Sequence, residues 1–165
     1  MTQARTVKPQ AVEVDTGVAD AKAVAANLAK VLADTYSLTI KTHAVHWNVE
    51  GPMFYAVHML TDTQYADLFA AADVIAERIR ALGHLTPMSP KALLEGSVVT
   101  EIKNAKGAAA MCEGLADDHA KVAKRLHDVV DKAEKADDPV TADLATQRAA
   151  FHEKAAWMLR ALSQT

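Results

Sequence analysis

The chain has 165 residues, of which 34 are alanine and only 11 are glycine or proline, with 18 basic against 21 acidic side chains. This is one domain's length, enough to bury a core without disulfide or metal staples, and a net charge of −3 excludes a nucleic-acid binder held by bulk positive charge. A lone Cys112 excludes an internal disulfide, no apolar run nears the ~18 residues of a membrane span, and MTQARTVKPQ lacks a signal-peptide core, so the expected setting is cytoplasmic, with no membrane partner.

In chain order, residues 1–17 read as a flexible arm in which Arg5 and Lys8 are countered by Glu13 and Asp15, and residues 18–165 as one domain. Alanine is the best helix former and strand signals are nearly absent, so the chain leans helical. The breakers Gly51-Pro52, Gly83, Pro87, Pro90, Gly96 and Pro139 mark off four helical runs, at 18–50, 53–82, 98–136 and 140–163. The first carries Val24, Leu28, Val31, Thr35, Leu38 and Val45 on one stripe, with Leu32, Tyr36, Ile40, His43 and Trp47 as a second flank. The second carries Leu68, Ala72, Ile75, Ile79 and Leu82. Between the second and third runs lies the longest connection, with a short helical turn expected near Lys91–Leu94. The third run shows Leu115, Val122, Leu126 and Val129, interrupted near its start by Gly107 and Gly114. Asp117, Asp118 and His119 on it read as a solvated face. Asp138-Pro139 starts the fourth, whose stripe is Leu144, Phe151, Ala155, Met158 and Leu162. Four long helices that must pack lengthwise make an all-α four-helix bundle.

Chemistry concentrates on the second run. His58, Asp62, Asp73 and Glu77 fall at about 0°, 40°, 60° and 100° around a helix, so they share a face. Asp62 and Asp73 are nonetheless about 16 Å apart along the axis, too far to meet at one ion. The midpoint of Asp62 and Asp73 coincides with that of His58 and Glu77, next to Asp67 and Leu68. An antiparallel copy about a two-fold axis there brings Asp62 level with the partner's Asp73, and His58 with the partner's Glu77, giving two equivalent sites. His46, just before the tight Gly51-Pro52 connection, is placed to fold back towards His58. Two imidazoles and three carboxylates suit a first-row metal such as iron, whereas structural zinc more often recruits thiolate and closes tetrahedrally; another divalent cation such as Zn(II) is an alternative occupant. Taken one at a time, the same residues read as solvated helix faces, so the spacing alone leaves both readings open.

The segment His46-Trp47-Asn48, Gly51-Pro52, Phe54, Ala56-Val57-His58, Asp62, Asp73 and Ala76-Glu77-Arg78 resembles the ferroxidase signature of the Dps family, the DNA-binding proteins from starved cells or mini-ferritins. The resemblance extends over nearly the whole chain after about residue 20. It implies a ferritin-like four-helix bundle with a short helix in the long connection, assembled from two-fold dimers into a homo-dodecameric shell. It further implies that His46, His58 and Asp62 come from one subunit, and Asp73 and Glu77 from its mate, at a centre that can hold two irons. The activity implied is oxidation of Fe(II) with hydrogen peroxide or dioxygen, followed by storage of ferric oxyhydroxide, which protects DNA from oxidative damage. By the same resemblance Trp47 sits close to the centre, although a core aromatic is the plainer reading. Asp143 and Asp138 resemble the segment that lines a three-fold iron pore, while also reading as a first-turn dipole partner and a helix cap. Strong DNA binding needs many cationic contacts, and Arg5 and Lys8 are few, so weak binding is expected and nucleoid association stays secondary. Two rivals remain: a nucleoid-packing protein with secondary iron chemistry, and a purely structural bundle whose polar interface sets register.

Overall fold

A computed structural model describes residues 8–102 and 106–164; Arg5 and the rest of residues 1–7 lie outside the described residues. Among the described residues there are five helices and no strand: α1 (Ala21–Asn48), α2 (Phe54–Ala81), α3 (Pro90–Leu94), α4 (Gly107–Lys135) and α5 (Pro139–Ser163). No helix is long and apolar enough to cross a membrane.

Local chemistry sets the ends. Asp20 accepts a hydrogen bond from the Ala23 N–H, Ser89 from the Ala92 N–H and Asp138 from the Thr141 N–H, each satisfying a donor that the first turn leaves free. Pro90 and Pro139 begin α3 and α5, where the missing N–H costs nothing. Gly51 turns the chain from α1 to α2 at φ 87°, a conformation that disfavours any residue with a Cβ.

Side-chain pairs fix the directions of the helices. Asn27, Asp34 and Lys41 on α1 meet Lys132, Arg125 and Asp118 on α4 in reverse order, so these two helices are antiparallel. Asp67 and Arg78 on α2 meet Arg148 and Asp138 on α5 in the same reversed sense. The stripes expected on α1, α2 and α4 all bury: Leu28, Val31 and Leu38, then Leu68, Ile75 and Ile79, then Leu115, Val122 and Leu126 form one core.

Three expectations change. The third long helix begins at Gly107, not at residue 98. Val98, Val99 and Thr100 are β-branched and lie outside any helix; the Val98 N–H donates to Asp34 Oδ1 and the Thr100 N–H to Asp118 Oδ2, so buried carboxylates replace helical carbonyls as acceptors. On α5 the buried residues are Thr141, Ala145, Ala149, His152, Ala155, Ala156 and Leu159; of the expected stripe only Ala155 is among them, while Leu144, Phe151 and Leu162 pack half-buried against the core and Met158 is half-buried. Small side chains on that face let α5 lie close to its neighbours, which a reading of large residues overlooks. Asp118 and His119 are fully buried, and of the polar cluster only Asp117 faces solvent. Lys41 and Lys121 pair with Asp118, and Thr100 donates to it from its hydroxyl and its N–H. Burial pushes the Asp118 carboxyl up, but those two cations and hydrogen bonds outweigh it and hold the group below the usual carboxylate range.

Candidate metal centre

Where α1 ends and α2 begins, the Gly51 turn brings His46 and His58 into face-to-face contact, with ring centroids 3.7 Å apart. Each ring nitrogen Nδ1 lies 3.0 Å from the other residue's backbone carbonyl: His46 Nδ1 from the His58 oxygen, His58 Nδ1 from the His46 oxygen. A carbonyl only accepts, so both Nδ1 atoms carry the proton and donate it. In each ring that leaves Nε2 as the atom free to take a metal, held by the kind of outer hydrogen bond that orients metal-binding imidazoles. Thr61, one turn after His58, lies 3.2 Å from His46 Nδ1 and donates its own hydroxyl proton to the Val57 carbonyl.

Asp62 is anchored as well. Tyr65, three residues on and therefore on the same face of α2, donates its phenol to Asp62 Oδ1. That hydrogen bond to a carboxylate, with some desolvation, holds the Tyr65 phenol above its ordinary pKa. The Tyr65 ring also meets His46 edge-on at 5.2 Å and His43 at 4.1 Å, and His43 stacks on Trp47. Trp47 is 71% exposed, so within one chain it is not a core aromatic. Thr61 and Tyr65 are the residues that sequence reasoning overlooked; a hydroxyl three residues from each candidate ligand was the available signal.

The chain thus brings His46 against His58, places Asp62 one turn further along α2, and leaves Asp73 and Glu77 exposed beyond it. Among the described residues no group of three His, Cys, Asp or Glu side chains stands close enough to hold a metal within one chain. Around Asp62, Asp73 and Glu77 the same face of α2 presents Tyr55, Met59, Phe69 and Val74 to solvent, with Phe69 63% exposed. Asp143 is exposed and accepts from the Gln147 amide; it borders a cleft of about 370 Å³ together with Glu77 and Arg78. Asp138 is buried, where it caps α5 and pairs with Arg78 at 2.7 Å.

The helical bundle agrees with comparison to known proteins. A family model for the ferritin-like domain matches residues 25–165. The DNA protection during starvation protein of Brevibacillus brevis is 33% identical over 138 residues, which cover 84% of this chain and 93% of that protein. The crystal structure of a Dps protein from Bacillus brevis matches with a TM-score of 0.81 at 32% identity, over 86% of this chain and 95% of that one. The chain belongs to the Dps family. A Dps structure from Vibrio cholerae O1, described as a member of a broad superfamily of ferritin-like diiron-carboxylate proteins, matches with a TM-score of 0.80 at 26% identity, over 86% and 89% of the two chains. Membership accounts for the all-helical bundle and for the short α3 in the long crossover between α2 and α4.

Proposed function

We propose that this chain is an iron-storing ferroxidase that works at centres shared between two copies and protects DNA by removing Fe(II) and peroxide together. One observation carries the reading: the reciprocal Nδ1-to-carbonyl bonds of His46 and His58, which leave two Nε2 atoms free about one helical turn from the anchored Asp62. A histidine pair serving only as core packing has no need of two fixed tautomers. In the proposed centre an antiparallel copy of α2 supplies Asp73 and Glu77, and the exposed apolar face around Phe69 becomes the seam between the copies. Two Fe(II) ions, as substrate, each lose one electron while the O–O bond of hydrogen peroxide breaks and accepts both. The two hydroxides left by peroxide, with two further waters, then carry the two Fe(III) to oxyhydroxide and release a net four protons. Three carboxylates stabilise Fe(III) over Fe(II) and so favour the oxidation.

The relatives' names support the DNA-protection part of this reading, and the diiron-carboxylate description of the Vibrio protein supports the iron part. The dodecameric shell, the cytoplasmic setting, the role of Trp47 as a nearby oxidisable ring and the pore role of Asp143 belong to the same proposal; Asp138, buried in its cap and its pair with Arg78, is not carried into the pore. His46→Ala combined with Asp73→Ala is expected to abolish rapid peroxide-dependent Fe(II) oxidation in stopped flow while leaving the shell assembled. Unchanged kinetics would refute the centre. If the shell chiefly packs DNA instead, a gel shift at moderate salt will disappear on removal of residues 1–17 while iron kinetics stay slow.

A further inference from the structure

Away from the α1–α2 turn, the interior of the bundle carries a polar layer with one residue from each long helix. Thr42 of α1, Gln64 of α2, His119 of α4 and His152 of α5 are all buried, at 3% exposure or less. The side-chain pairs that tie the helices together place the four within about one turn of the same height. Lys41 meets Asp118 across α1 and α4, Asp67 meets Arg148 across α2 and α5, and Gln64 lines one cleft with Phe151 and Ala155, the neighbours of His152. His119 Nδ1 and His152 Nδ1 are 2.9 Å apart. Thr42 Oγ1, both amide atoms of Gln64 and His119 Nε2 have no hydrogen-bond partner. Buried orphans of this kind are costly, and the two oxygens among them, Thr42 Oγ1 and Gln64 Oε1, are atoms that a bound cation would partner.

We propose that this layer is a second metal-ion site, lying within each subunit, that binds a divalent ion of the Cu(II) or Ni(II) class between the two Nδ1 atoms. Two nitrogens 2.9 Å apart subtend about 90° at an ion that binds each at about 2.0–2.1 Å, which is the angle between neighbouring ligands in tetragonal coordination. The Gln64 carbonyl and the Thr42 hydroxyl supply neutral oxygens to complete the set, in the bundle-core position where facing helices can converge on one ion. In the ion-free pair one Nδ1 donates its proton to the other. Binding shifts that proton to Nε2 of the same ring and frees both lone pairs, with no proton lost to solvent. Burial keeps both rings unprotonated near neutral pH, as metal binding requires. Two cations oppose the ion, Arg148 and Lys41: Lys41 is paired with Asp118, whose carboxylate lies beside His119, and Arg148 is paired through Nη1 with Asp67 and stacked 4.3 Å over Phe151, its Nε and Nη2 having no partner. The site does not depend on the inter-subunit centre, which uses other residues.

The test loads the assembled full-length protein with Cu(II) in a His46→Ala, Asp73→Ala background, where the shared centre is disabled. About one Cu(II) per subunit is expected to remain, with two imidazole nitrogens in its pulsed electron paramagnetic resonance spectrum, and His119→Gln or His152→Gln is expected to remove it. No retained Cu(II), or retained Cu(II) that ignores both substitutions, overturns the proposal. Should the glutamine variants fail to assemble, crystals of the unsubstituted protein soaked in Ni(II) decide. An anomalous peak between His119 and His152 supports the site, and its absence while metal appears elsewhere overturns it.

Discussion

At the scale of single residues, the candidate centre depends on partners that never touch iron. Tyr65 fixes the Asp62 carboxylate, as the two backbone carbonyls fix His46 and His58. Outer hydrogen bonds of this kind typically change metal affinity or activity by about 10–100-fold when removed. Tyr65→Phe is therefore expected to slow peroxide-dependent Fe(II) oxidation by about tenfold or more without loss of fold, read by stopped flow beside circular dichroism. A rate equal to that of the parent would show that Asp62 needs no anchor. The buried histidines make a pH prediction. Burial lowers His119 from 6.5 to about 3 and carries His152 well below its ordinary value. Below about pH 6.5 the unfolded chain takes up protons that the folded chain refuses. Stability is therefore whole above that pH and falls as pH drops towards the folded value, by about 1.4 kcal/mol per pH unit for each histidine concerned. Urea midpoints between pH 7 and 4.5 should fall less steeply in a His119→Gln, His152→Gln variant than in the parent.

At the scale of helices, one carboxylate does two jobs where α4 hands over to α5. Asp138 caps the first turn of α5 and holds Arg78 of α2, so the start of α5 and its lateral position are set together. Asp138→Ala removes the cap and strands a largely buried guanidinium; a loss of about 3 kcal/mol is expected, lowering the melting temperature by about 6–12 °C. Asp138→Asn keeps an acceptor for the cap and should lose less. Equal losses from the two substitutions would mean that the ion pair alone matters. The start of α4 shows how a tertiary contact overrides a helical run: Asp34 and Asp118 offer buried acceptors to Val98 and Thr100, residues 98–102 form no helix, and α4 begins at Gly107.

At the scale of the molecule, one chain presents half of each proposed centre. Mixing Asp73→Ala subunits with His58→Ala subunits tests the sharing directly, because a mixed dimer holds one intact site and one doubly defective site. Random mixing should restore about a quarter of the parent's rapid oxidation capacity. No recovery despite mass-spectrometric proof of mixing would count against ligands shared between chains. Phe69, exposed between Asp62 and Asp73 on α2, lies on the face proposed as the seam. Phe69→Lys is expected to block dimer formation in analytical ultracentrifugation while leaving the helical content of the subunit unchanged.

Periodicity and breakers determined the four long helices, the short α3, and the core stripes of α1, α2 and α4, because the positions at which a helix buries its side chains repeat along its own sequence. Two other features also followed from sequence: the meeting of His46 with His58, since a tight glycine turn leaves few ways to place them, and the capping role of Asp138. Only the tertiary structure decided that Asp118 and His119 are interior, that α5 packs by its alanines, and that Tyr65 holds Asp62. Each of those depends on which face a second helix covers. A charged or small side chain carries no record of its neighbour until the neighbour is in place.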